Sequence, residues 1–153
     1  MNAEQQNVAR ACHQFAENNS MSFPVIVAKL VDAGFESYTV NFRRGATVYY
    51  LPSGDNIELP LSSHKEGVAA SFQTADLQAA IREAQEGLQS YTYRGFCQKV
   101  KAAGCAGYII SFLGRRATYS VAQARPMSKH SLNDATEPWS QRITFIPCRL
   151  SRS

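Results

Sequence analysis

Apolar residues recur at helical spacing in four stretches of the chain and alternate at strand spacing after the second and fourth of them. Val8, Ala11, Cys12 and Phe15 line one side of a first helix. Ile26, Leu30 and Ala33 mark a second, which Ser22 can N-cap, with Pro24 tolerated in its opening turn and Gly34 supplying the left-handed position that ends it. Tyr38, Val40 and Phe42 then share one face of a strand, and Arg43-Arg44-Gly45-Ala46 turns it back. A second turn, Pro52-Ser53-Gly54-Asp55, leads to alternating Ile57 and Leu59 and so to a third strand. The same succession begins again. Leu77, Ile81, Ala84 and Leu88 form a helical stripe, with Thr74 as N-cap and Asp76 suited to the positive end of the helix dipole. Phe96, Val100 and Ala103 form the next, capped by Thr92 and ended by Gly104. Tyr108, Ile110 and Phe112 alternate beyond it, and Leu113-Gly114-Arg115-Arg116 makes the turn, with Gly114 expected to supply the positive φ as Gly45 does in the first turn.

Residues 23–50 and 93–120 match without a gap at an offset of seventy: Lys29 with Lys99, Ala33 with Ala103, Gly34 with Gly104, Tyr38 with Tyr108, Phe42 with Phe112 and Tyr49 with Tyr119. Each unit presents an apolar sheet face that it cannot bury alone. The expected fold is therefore α+β: two pseudo-symmetric helix–helix–β-hairpin repeats, about 1–61 and 72–122, forming one antiparallel sheet covered by helices. Residues 62–71 connect the halves, and 1–122 form a single domain. Beyond it Pro126, Pro138 and Pro147 interrupt the chain, and only Arg142–Ile146 has the look of a strand. Residues 123–153 are expected to be a loosely attached segment or to add one edge strand.

Composition narrows the class. A chain of 153 residues buries about 68–70% of its unfolded surface, enough for a core without disulfides or metal. Its four cysteines include no C-x-x-C pair and are expected as reduced thiols, with Cys12 and Cys97 on apolar helix faces. Ala102–Leu113, the most apolar stretch, is too short and too interrupted to span a bilayer, and the first residues do not read as a secretory signal. A cytoplasmic protein with no membrane role is expected. The net charge of +4 sits mostly in residues 123–153, where Arg125, Lys129, Arg142, Arg149 and Arg152 face only Asp134 and Glu137. The body is nearly neutral, which argues against a broad basic binding face.

The doubled A-G-x-x-x-Y signature, with FRRGATVYYLPSGD in the first unit and AGCAGYIISFLGRRATY in the second, resembles a bacterial and phage-associated family. This is the YbcV-like domain of unknown function, some members of which carry the label "phage envelope protein". The likeness runs over about residues 8–120. It implies an intracellular, often prophage-borne α+β protein and no established activity, so no catalytic residues carry over. After Tyr119 the chain departs from relatives that close with a strand rich in Gly, Glu and His, reading SVAQARPMSKHSLND instead.

Candidate chemistry is sparse. Arg43, Arg44, Arg115 and Arg116 sit at the two hairpin turns, where guanidinium groups near tyrosines could hold phosphates or stack on bases, or serve only to keep the turns soluble. Tyr49 and Tyr119, with Tyr38, Tyr50 and Tyr108, could instead wall a ligand cleft between the halves. His13, His64 and His130 lack metal spacing, and Cys105 follows a helix carbonyl end, which raises a thiol pKa. A pairing of Cys105 with His64 or His130 has no support in the spacing. No catalytic residue, metal site or cofactor is expected. Three readings stay open: a non-catalytic binding or accessory protein with a small-ligand cleft, a nucleic-acid-associated protein using the Arg pairs, and a self-associating module.

Overall fold

A computed structural model describes residues 1–62, 66–87 and 89–121, together with the strand backbone at 143–145. Leu88, His64, His130, Cys148 and the rest of the segment 123–153 lie outside the described residues. The chain runs α1 (Ala3–Glu17), α2 (Phe23–Asp32), β1 (Ser37–Asn41), β2 (Ala46–Tyr50) and β3 (Asn56–Pro60). It continues α3 (Thr74–Glu86), α4 (Tyr93–Ala102), β4 (Cys105–Ser111), β5 (Arg116–Val121) and β6 (Ile143–Phe145). The fold is α+β, one antiparallel sheet in the order β3-β2-β1-β4-β5-β6 with the helices packed on it. The short β6 pairs with β5 at one edge.

Alternation decides which face the helices cover. Tyr38, Val40 and Phe42 of the first hairpin are buried, as are Tyr49 of β2 and Tyr108 and Tyr119 of the second hairpin. They meet Leu30 of α2, Leu77 of α3 and Val100 of α4, all wholly shielded from solvent, in one core. Tyr38 lies opposite Tyr49 in the β1–β2 ladder, and Tyr108 lies opposite Tyr119 in β4–β5. Both ring pairs sit at 5.5 Å and 39°. The central seam joins β1 to β4, with Thr39 opposite Ile109.

The helix ends follow local chemistry. Asn2 and Gln5 form a capping box at the start of α1, and Gln5 Nε2 donates to the Ala33 carbonyl at 3.0 Å, tying α1 to the end of α2. Gly34 and Gly104 close α2 and α4 with φ of 91° and 84°. Thr92 caps α4, its hydroxyl accepting from Gly95 N at 3.0 Å. Two expected caps differ. Ser22 holds the N-cap position of α2 without a side-chain cap bond. Thr74 is already helical, and Gln73 occupies the N-cap of α3, also without a side-chain bond. Gln73 is held there through its backbone, whose N–H donates to the Ala103 carbonyl at 2.9 Å, so tertiary bonding sets that boundary. The connector is likewise bound to the second half, with Ala69 N donating to the Lys101 carbonyl at 3.0 Å.

The hairpin turns correct the sequence reading at one residue. Gly45 takes the left-handed conformation in the first turn, at φ 67°. In the second turn Arg115 takes it, at φ 47°, and not Gly114. Residue 115 is the position seventy beyond Gly45, so the two Arg pairs are not equivalent: Arg43 and Arg44 precede the left-handed position, whereas Arg115 occupies it and Arg116 opens β5.

Candidate functional site

The inner sheet face, α2, α3 and α4 leave a cleft of about 130 Å³. Each wall comes from a different element. Phe23 and Val27 stand at the start of α2, Ile81 and Ala84 on the last turns of α3, and Phe96 on α4. Tyr38, Tyr108 and Ile110 form the floor on the central strands. Edge-to-face and tilted ring contacts hold the floor in place, Phe96 lying 6.0 Å and Phe112 6.1 Å from their tyrosine partners. The interior is thus mostly hydrocarbon and aromatic.

Its polar groups are few. The hydroxyls of Tyr93 and Tyr108 share a hydrogen bond of 3.2 Å. Burial pushes Tyr38, Tyr93 and Tyr108 well above the ordinary phenol range, and Tyr91 up to about 12, so these groups are neutral hydrogen-bonding phenols and not phenolates. At the rim Arg115 and Arg116 belong to the lining, with Gln85 and Ser111 beside them. No carboxylate lines the cleft among the described residues, and within the same set neither arginine forms an ion pair.

Of the nine arginines and tyrosines singled out from sequence, five line the cleft: Arg115, Arg116, Tyr38, Tyr108 and Tyr119. Arg43, Arg44, Tyr49 and Tyr50 do not. Arg43 and Arg44 are exposed at the β1–β2 turn, where Arg44 pairs with Glu58 at 3.0 Å. Tyr49 is buried beneath α1. There His13 Nε2 donates to the Pro60 carbonyl at 2.9 Å, which leaves Nδ1 to accept the Tyr49 hydroxyl proton at 3.3 Å. That arrangement anchors α1 to the sheet and occupies both partners. Sequence reasoning passed over Phe23, Val27, Ile81 and Tyr91. The one local signal was the Tyr91-Thr92-Tyr93 cluster at a helix start.

The three described thiols are shut in the core. Cys105 is fully buried, donates to the Gly107 carbonyl at 3.2 Å, and is pushed up to about 11 by burial. Burial also lifts Cys97 to about 12 and raises Cys12. Among the described residues no group of three His, Cys, Asp or Glu could hold a metal ion, and no helix is long and apolar enough to cross a membrane.

Arg115 carries a testable cost. A left-handed L-residue costs roughly 1–2 kcal/mol, against about 0.5–1 kcal/mol for the extra chain entropy that glycine loses on folding. Arg115→Gly is therefore expected to stabilise the fold by about 0.5–1 kcal/mol, read as a raised urea midpoint. A lowered midpoint would mean that the guanidinium makes a stabilising contact outweighing its backbone strain.

None of the curated proteins matches the chain. Residues 12–125, most of its length and all of the cleft, match the family described as "Protein of unknown function (DUF1398)", and the chain belongs to that family.

Proposed function

We propose that the protein is a non-catalytic binding protein that takes a small ligand in the cleft between its halves. One observation carries this reading: aromatic walls from both halves converge on a space whose rim bears two guanidinium groups and, among the described residues, no carboxylate. Binding sites of this kind combine apolar walls with a few orienting polar groups. A phosphate-gripping surface built from all four hairpin arginines is less well supported, because Arg44 is engaged by Glu58 and the two pairs occupy different turn positions.

We further propose that the chain arose by duplication of one helix–helix–hairpin unit, in the prophage-borne setting that its YbcV-like motifs suggest. Three features support the duplication. Both hairpin registers carry over under an offset of seventy, the Tyr38–Tyr49 and Tyr108–Tyr119 ring geometries coincide, and Thr39 faces Ile109, the residue seventy beyond it. A cleft near such an axis draws walls from both copies, which makes it a natural place for a ligand.

A thermal-shift screen against metabolites and nucleotides tests the binding reading. A ligand at a hundredfold excess over its Kd adds about 2.7 kcal/mol, or about 5–10 °C for a chain of this size. Ala84→Phe, which fills the cleft from α3, is expected to remove that shift while leaving the fold intact. No stabilising compound in the screen, or an equal shift in Ala84→Phe, would overturn the reading.

A further inference from the structure

We infer that the ligand is a small amphipathic acid, with one ring or a short branched chain inside the cleft and an anionic head, carboxylate or phosphate, at the Arg115–Arg116 rim. This rests on the cleft being a binding site and adds the chemical class of what it binds.

Size sets the apolar part. A dry cavity of about 150 Å³ walled by Leu, Ile and Phe holds one benzene ring. The cleft here, at about 130 Å³ and walled by Phe, Tyr, Ile and Val, has room for a body of that order and no more. A nucleotide, with base, sugar and phosphate, exceeds it. The walls also present mostly aromatic and aliphatic carbon to whatever enters, with little polar surface. A sugar or a free amino acid buried there would leave polar groups unpartnered, at a cost that an apolar ring avoids.

Charge sets the head. Arg115 and Arg116 are both exposed, so their groups are solvated at the rim and able to reach an anion there. No carboxylate among the described lining residues competes for them. Guanidinium groups bind carboxylate and phosphate oxygens through paired, charge-assisted hydrogen bonds. Ser111 Oγ accepts from Gly114 N at 3.3 Å, which holds the turn carrying both arginines against the end of β4. The left-handed conformation of Arg115 points the same way. Glycine serves the corresponding turn position at Gly45, so the turn itself has no need of a side chain at residue 115.

Calorimetric titration of the full chain with three matched probes tests the inference: 3-phenylpropionate, 2-phenylethyl phosphate and the neutral 3-phenylpropionamide. At low salt one or both anions are expected to bind about tenfold more tightly than the amide, the scale of one charged hydrogen bond. The tighter of the two identifies the head group. The advantage is expected to shrink several-fold in about 0.5 M salt, because rim charges are screened. It is expected to vanish in Arg115→Gln/Arg116→Gln, where anions and amide should bind alike, whereas Ala84→Phe loses all three probes. Equal binding of amide and anions would leave the cleft reading standing and overturn the acid. An anion preference that survives the double Arg variant would overturn it too. Failure of all three probes would overturn the acid alone if the thermal-shift screen finds another ligand, and both readings if it finds none.

Discussion

Raising the pH from about 8.5 to 11 is expected to destabilise the protein steeply, with no change in stability between about pH 7 and 8.5 from these groups. The cause is the set of thiols and phenols shut in the core. In the unfolded chain cysteine ionises near 9.0 and tyrosine near 10.0, whereas burial lifts Cys97 to about 12, Cys105 to about 11 and Tyr91 to about 12 in the fold. Raised pKa values stabilise the native state fully below the unfolded value. That contribution is lost as pH climbs from 9 towards 12, because the unfolded chain sheds protons that the folded one keeps. At pH 11 a thiol ionising about two units below ambient only when unfolded accounts for roughly 2–3 kcal/mol, so Cys97 alone consumes a large part of an ordinary domain's stability. Urea midpoints measured across this range check the expectation, and Cys97→Ala should make the alkaline slope shallower. A midpoint unchanged at pH 11 would show that these groups meet water in the native state.

Gly107→Ala is expected to cost about 3 kcal/mol, near the upper end for overpacking, and to lower Tm by about 6–12 °C. A Cβ at Gly107 would overlap the Val40 carbonyl oxygen and come within 3.3 Å of the Asn41 Cα, both backbone atoms of the neighbouring strand. Neither strand can easily yield. Phe42 N donates to the Ala106 carbonyl at 2.9 Å, and the Gly107 carbonyl accepts from both Cys105 Sγ at 3.2 Å and Ser120 Oγ at 3.1 Å. The residue also sits at the register shift between Cys105 and Gly107 that bends β4. Differential scanning calorimetry reads the effect directly. Gly114→Ala is the control, since its nearest neighbour is the Ser111 hydroxyl at 3.2 Å, a side-chain atom that can move. Equal melting of the two variants would mean that the central strands separate readily.

The elements were legible where local chemistry and packing agree. Gly34 and Gly104 end their helices as read, and Tyr38, Val40 and Phe42 face inward because alternation and burial share a period of two. Thr74 was misplaced because its hydroxyl favours a cap, while the backbone bond from Gln73 to Ala103, thirty residues away, decides where α3 begins. The second turn was misread for a related reason. Gly114 is the better left-handed residue, yet the β4–β5 register puts that conformation on Arg115. The cleft was half visible. Tyrosines and arginines on a hairpin suggested it, but Phe23 and Val27 lie more than fifty residues before Ile81 and Tyr91, and the two pairs meet only once β1 pairs with β4. The same strand order carries Arg43 and Arg44 away from the cleft.

The β1–β4 seam joins the two hairpins through main-chain hydrogen bonds, separately from the connection between β3 and α3. The bridging segment from Ala69 to Gln73 is bonded to the end of α4, so a cut placed before it divides the molecule into two pieces that each keep their own helix pair and hairpin. Each piece then has one newly bared main-chain edge, β1 on the first and β4 on the second, and in the intact chain these edges meet in the register that sets Thr39 against Ile109. Neither piece can bury its sheet face alone, so as separate polypeptides they are expected to fold on meeting, and the cleft, whose walls come from both, would form only in the reassembled pair.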